Sequence, residues 1–121
     1  MADFEFPEDI VIEICHAAVA NAKKATDEFT ALTPDKPRFV AGSMGPTSQQ
    51  TAISTKVEDA AYRSITFDEM EASYYVQAKA LVEAGVDILF PETVIDTLNL
   101  KACLFGIARY CLLYTSPSPR D

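Results

Sequence analysis

Lysine and arginine are in short supply. This chain of 121 residues has ten, against eighteen aspartates and glutamates, giving a net charge of −8. A nucleic-acid surface needs the opposite balance, because affinity for phosphate backbones comes from neutralising them with Lys and Arg. Cysteine is scarce as well. Cys15, Cys103 and Cys111 form no CxxC or other close spacing, which argues against a disulfide framework and suits a reducing compartment. No apolar run approaches the ~18 residues of a membrane span. The first ten residues, "MADFEFPEDI", are acidic where a signal peptide carries a basic region. Neither a nucleic-acid nor a membrane partner is expected, and the expected location is cytoplasmic.

What is present is the composition of a folded domain. Hydrophobic residues make up 49% of the chain, so it is globular rather than disordered. The length allows roughly one domain. The end, "CLLYTSPSPRD", changes character abruptly. Read back into codons, its eleven residues resemble a transposase adapter used in sequencing libraries, so residues 111–121 are expected to be translated adapter; the alternative is a natural Pro/Ser-rich disordered tail. Setting it aside leaves residues 1–110 for the fold and does not alter the net charge, because it holds one Arg and one Asp.

Within that span the periodicity predicts a helix over 7–30. Pro7 suits a first helical position and Glu8 and Asp9 suit the positive end of the dipole. Val11, Ile14, Cys15, Ala18, Ala22, Ala25 and Phe29 form its apolar stripe. Lys23 and Lys24 read as a solvated face. "LTPDKP" is a turn, and "RFVAG" (38–42) is a strand candidate. The stretch that follows, to Ile65, lacks sustained periodicity, and connections that long are uncommon unless functional or disordered. Thr66 and Glu69 then make a T-x-x-E capping box, with Ile65 and Met70 placed as a hydrophobic staple. The helix this opens runs to Ala84, with Met70, Tyr74, Ala78, Leu81 and Val82 inward and Gly85 as its stop. "VDILF" (86–90) is the second strand, and Asp96 caps a third helix, "TLNLKACLFGIARY".

The order α-β-α-β-α predicts an α/β fold in which two parallel strands flank a crossover helix. The pattern does not separate a doubly wound sheet from a (β/α)8 barrel, but in both, ligands bind beyond the carboxyl ends of the strands. Those ends are "AGSMGPTS" and "FPETVID". Glu92 stands just past the second strand, where a carboxylate can accept hydrogen bonds from a substrate ammonium, or pair with a neighbouring Arg, or cap a helix. Gly42 and Gly45 permit tight turns and close ligand approach, or simply make a βα turn; the loop is neither GxGxxG nor a Walker loop. Asp96 reads as a cap rather than a catalyst. His16 has no second ligand nearby and reads as a surface or packed histidine. Tyr74 and Tyr75 read as packing residues, and Cys15 and Cys103 as small buried hydrophobes.

Three stretches in order, "KPRFVAGSMGPTSQQTAIS", "YRSITFDEMEASYYVQAKALVEAGVDIL" and "PETVIDTLNLKA", resemble the homocysteine-binding domain of cobalamin-dependent methionine synthases. The resemblance covers the chain from Met1 to about Tyr110. It implies a (β/α)8 barrel, homocysteine as the small-molecule substrate, and zinc and cobalamin as cofactors of the parent enzyme. It also implies that Glu92, within "PET", binds the substrate amino group; Gly42, Ser43 and Gly45, in the Gly-rich loop at the neighbouring strand end, are then expected to be substrate-binding. The family's zinc thiolates lie on later strands, in part as a Cys-Cys pair that nothing here matches, so no metal ligand is expected in this chain. About two strands and three helices of the barrel are expected, with the first strands, the rest of the barrel and the cobalamin modules elsewhere in the parent. Two other readings remain: a complete small α/β module holding an anionic or zwitterionic ligand, and an inactive truncated frame.

Overall fold

Pro7 caps the first helix instead of entering it. Its backbone is extended (φ −55°, ψ 150°), and its carbonyl accepts the N–H groups of Ile10 and Val11 at 3.1 and 3.2 Å. The computed structural model describes residues 7–49, 51, 58–59 and 64–111. In these the order is α1 (Glu8–Leu32), β1 (Ala41–Met44), α2 (Phe67–Ala84), β2 (Ile88–Pro91) and α3 (Thr97–Cys111). The expected α/β order holds. Cys111 is the last helical residue, and the remainder of the expected tail lies outside the described residues, as does much of the long segment before Ile65.

Only Val11, Cys15 and Val19 of α1 are buried. They form one i, i+4 row, because α1 packs chiefly on α2. The predicted stripe was too wide: Ile14 and Phe29 are exposed, and Val19 belongs inside. Lys23 also departs from expectation. It is partly buried and donates its ammonium to the Gly85 carbonyl at 3.2 Å, while Lys24 is solvated as expected. The last turn of α1 has no basic residue of its own. Arg38 supplies one from beyond the helix, its Nη1 donating to the carbonyls of Phe29 (3.2 Å), Thr33 (3.3 Å) and Lys36 and to the Thr33 hydroxyl. Cationic donors at the carboxyl end satisfy orphan carbonyls and oppose the dipole.

Both ends of α2 follow the sequence. Glu69 N–H donates to Thr66 Oγ1 at 3.2 Å, and Glu69 Oε2 accepts from Thr66 N–H at 2.9 Å. At the other end Gly85 adopts φ 99°, a conformation only glycine takes without strain. Val86 N–H reaches Leu81 O (3.2 Å) and Gly85 N–H reaches Val82 O (3.0 Å), which is a Schellman pair.

β1 and β2 are parallel, in the register Ala41–Ile88, Gly42–Leu89, Ser43–Phe90 and Met44–Pro91. Both begin later than predicted. Arg38 is engaged at the end of α1, and Val40 N–H is held by the Asp87 carboxylate at 2.7 Å, so the ladder opens after them. It then carries past Phe90, because Pro91 needs no N–H at the end of a strand and Glu92 N–H donates to Met44 O at 3.2 Å.

Alternation gives the sheet two unlike faces. Gly42 and Met44 are buried, while Ala41, Ser43, Ile88 and Phe90 are exposed. Met70, Tyr74, Ala78 and Leu81 of α2 join Met44 in the core. Gly42 serves this packing: a Cβ there would lie 3.1 Å from Leu81 Cδ1 and 3.2 Å from Val86 Cγ1. α3 lies tightly on α2, because Gly106 lets the two backbones meet. A Cβ at 106 would be 2.9 Å from Tyr75 N and 3.0 Å from Glu71 O. Around that contact, Phe67 meets Phe105 and Tyr75 meets Tyr110 edge to face. Arg109 lies over the Tyr75 ring and pairs with Glu71 at 2.9 Å. Among the described residues no helix is long and apolar enough to cross a membrane.

Candidate functional site

The open face of the sheet leads directly to Glu92. Along β2, Ile88 and Phe90 point to this face, and Glu92 continues their alternation one step past the strand. On β1, Ser43 stands opposite Phe90 on the same face, one alternation before Glu92. Its hydroxyl donates to Glu92 Oε1 at 2.5 Å. Thr93 donates its own hydroxyl to Oε2 at 3.3 Å. Both carboxylate oxygens are therefore held, and each keeps a lone pair for a further donor. Thr93 does this from the left-handed region, φ 52°, where a β-branched residue is strained and persists only if its surroundings hold it.

Of the residues singled out in the sequence, the structure brings Glu92 and Ser43 together. Gly42 sits on the covered face, towards α2. Gly45 lies at the end of β1, with open space where a Cβ would stand. Its carbonyl accepts the Tyr74 hydroxyl at 3.1 Å, so Tyr74 is a packing residue with its polar tip on the loop. Gly45, Pro46, Pro91 and Glu92 line a crevice between the two strand-end loops, floored by Tyr74 and Cys103. Asp96 is a cap as expected: its Oδ1 accepts from Leu98 N–H (2.8 Å) and Asn99 N–H (3.2 Å).

Sequence reasoning passed over Asn99. It is buried, 5% exposed, beside the equally buried Thr51. Its Oδ1 accepts from Thr51 N–H at 3.1 Å and from the Thr51 hydroxyl at 2.8 Å. Its Nδ2 donates to Gln49 O at 2.9 Å and to Thr47 Oγ1 at 3.3 Å. An N–H on one side and a carbonyl on the other fix which way the amide faces. The available signal was an amide flanked by two leucines on a helix, a residue type that helix interiors disfavour.

The Cys15 and Cys103 thiols are poor ligands and nucleophiles. Burial pushes Cys15 up, and pushes Cys103 to about 11, so both are protonated at neutral pH and behave as small hydrophobes. His16 is exposed on α1. No three His, Cys, Asp or Glu side chains converge among the described residues. A zinc site of three or four converging ligands therefore does not fit them.

A family model for homocysteine S-methyltransferase matches residues 1–118. The chain belongs to that family. The family's reaction moves a methyl group to the thiol of homocysteine, so its substrate is an amino acid with an ammonium, a carboxylate and a thiol. The βαβ unit formed by β1, α2 and β2 is the repeating element of a (β/α)8 barrel, in which working groups sit at the carboxyl ends of the strands. In this chain, Ser43 near the end of β1 and Glu92 just past β2 meet at that edge of the sheet.

Proposed function

We propose that this chain forms the amino-group end of the homocysteine site in the barrel of a cobalamin-dependent methionine synthase. The carrying observation is the Glu92 carboxylate, placed just beyond β2 on the open face of the sheet and held at both oxygens by Ser43 and Thr93. A carboxylate fixed this way meets an ammonium without reorganising, and a charge-assisted hydrogen bond contributes about 1.5–3 kcal/mol. The three sequence stretches from "KPRFV" to "LNLKA" support the assignment to methionine synthase. The half-exposed Ile88 and Phe90 support a place inside a larger barrel, since an apolar sheet face calls for a cover. Zinc and cobalamin belong, in this reading, to other parts of the parent enzyme, and ammonium binding involves neither.

The test is titration of the complete barrel carrying this segment with homocysteine and with 4-mercaptobutanoate, the same skeleton without its amino group. The wild type binds homocysteine roughly 10- to 150-fold more tightly. Glu92→Gln keeps the shape, removes the charge and abolishes that discrimination. Equal discrimination by both proteins would return Glu92 to a structural role.

A further inference from the structure

Asn99 touches both walls of the crevice. Through its own helix it continues the segment that leaves Glu92, since Asp96 caps α3 on the Asn99 N–H. Through its carboxamide it grips the loop that leaves Ser43, at Thr47, Gln49 and Thr51. These contacts span about fifty residues of sequence; Asn99 and Thr51 are buried, and Thr47 and Gln49 partly so. A fully satisfied buried amide holds its partners in one arrangement, because any slip leaves a buried donor or acceptor unpaired. Gly45, nearer the strand, is fixed independently by Tyr74, so the loop is tied at two points.

We propose that Asn99 is a positioning residue for the amino-acid site: its carboxamide sets the spacing between the two strand-end loops, and so the distance between the Glu92 carboxylate and the loop that follows Ser43. The inference rests on the homocysteine-binding reading above. Asn99 itself touches no reacting atom. Its loss therefore loosens substrate binding and leaves the chemical step intact once substrate is bound.

The experiment uses steady-state kinetics of the complete methyltransferase carrying this segment, with homocysteine varied at saturating methyl donor. Asn99→Asp keeps the acceptor for Thr51 and replaces the two amide donors with an anionic oxygen facing Gln49 O. Its KM for homocysteine rises about tenfold, with kcat within about twofold and KM for the methyl donor unchanged. Thr51→Val removes one of the four contacts and leaves the backbone intact. It gives a rise of about threefold, and it carries the test if Asn99→Asp does not fold. A merely structural role would lower the melting temperature and the active fraction but leave KM alone, and that result overturns the proposal. Glu92→Gln in parallel separates the two claims. If it raises KM while folded Asn99 and Thr51 variants do not, the positioning role alone fails. If Glu92→Gln leaves KM unchanged, the ammonium reading fails, whatever Asn99 does.

Discussion

Ser43 Oγ lies 2.5 Å from Glu92 Oε1, although 49 positions separate them in the chain. Ser43 faces Phe90 in the parallel register, and the Glu92 N–H bond to Met44 O carries the alternation one step further, which brings the carboxylate to the same face. Ser43→Ala is expected to weaken homocysteine binding by about 0.5–1.5 kcal/mol, the range of an ordinary hydrogen bond, and so by less than Glu92→Gln. Calorimetric titration of both variants in the complete barrel checks the order. A larger loss for Ser43→Ala would mean that Ser43, and not Glu92, is the principal contact.

Thr93 gives a second expectation, in which stability and binding part company. Left-handed backbone costs a non-glycine residue roughly 1–2 kcal/mol, and glycine adopts it freely, though glycine also gains freedom in the unfolded chain worth about 0.4–1 kcal/mol. Thr93→Gly should therefore leave stability unchanged or raise it by up to about 1.6 kcal/mol. It removes the second hydroxyl on the Glu92 carboxylate, so homocysteine affinity falls. Urea unfolding and homocysteine titration of the same variant read the two effects. Lost stability with full affinity would show that the strain serves the fold alone.

The capping box, the αL glycine at 85, the order of elements and the position of Glu92 were legible in the sequence, because each rests on contacts within four residues or on a period. The strand limits were not. Val40 N–H is taken by Asp87, 47 positions away, and Arg38 is drawn back to α1; neither partnership leaves a local mark. The α1 stripe was overread for a related reason. Periodicity shows which residues share a face, but the width of the buried row depends on what lies behind it, and behind α1 there is chiefly α2. Asn99 escaped because its partners lie on a loop without periodicity. Gly42 looked like a ligand-facing glycine, and the pleat turned it towards Leu81.

Gly106 sets the closeness of α2 and α3, which makes its substitution costly. The Cβ of Gly106→Ala would press on the α2 backbone at Tyr75 and Glu71, where no side chain can swing aside. Overpacking of this kind costs about 1–3 kcal/mol. Gly45→Ala, with open space at its Cβ, should fall within about 0.5 kcal/mol of the wild type. Chemical denaturation of the two variants measures the contrast, and equal midpoints would mean that the helices separate more easily than their backbones suggest.

Glu69 carries a pH dependence of definite sign. Its pKa lies below the ordinary 4.5, first because the Thr66 backbone N–H donates to it and then because the Thr66 hydroxyl does. The folded state thus prefers the carboxylate. Its contribution is complete above pH 4.5 and fades as pH falls through the folded value. Glu69→Gln keeps a capping side chain but cannot titrate. Thermal melts from pH 7 down to pH 3 should show the wild type ahead at neutral pH and the difference closing below about pH 4.5. A gap that persists in acid would assign the benefit to shape instead of charge.

The uneven anchoring of α1 has a dynamic consequence. Its 25 residues hold to the body by Val11, Cys15 and Val19, with Lys23 reaching Gly85 a turn later; beyond that point, Phe29 and Leu32 face water. The free energy of local opening follows such differences in buried contact. Within α1 the carboxyl-terminal turns therefore exchange their amide hydrogens before the anchored ones, slowed by the Arg38 clasp and the Thr33 contacts. The amides around Tyr74 and Cys103, where α2 and α3 meet at Gly106, are the last. Between these extremes lies the crevice, whose loop is held at Gly45 by Tyr74 and further along by the four contacts of Asn99.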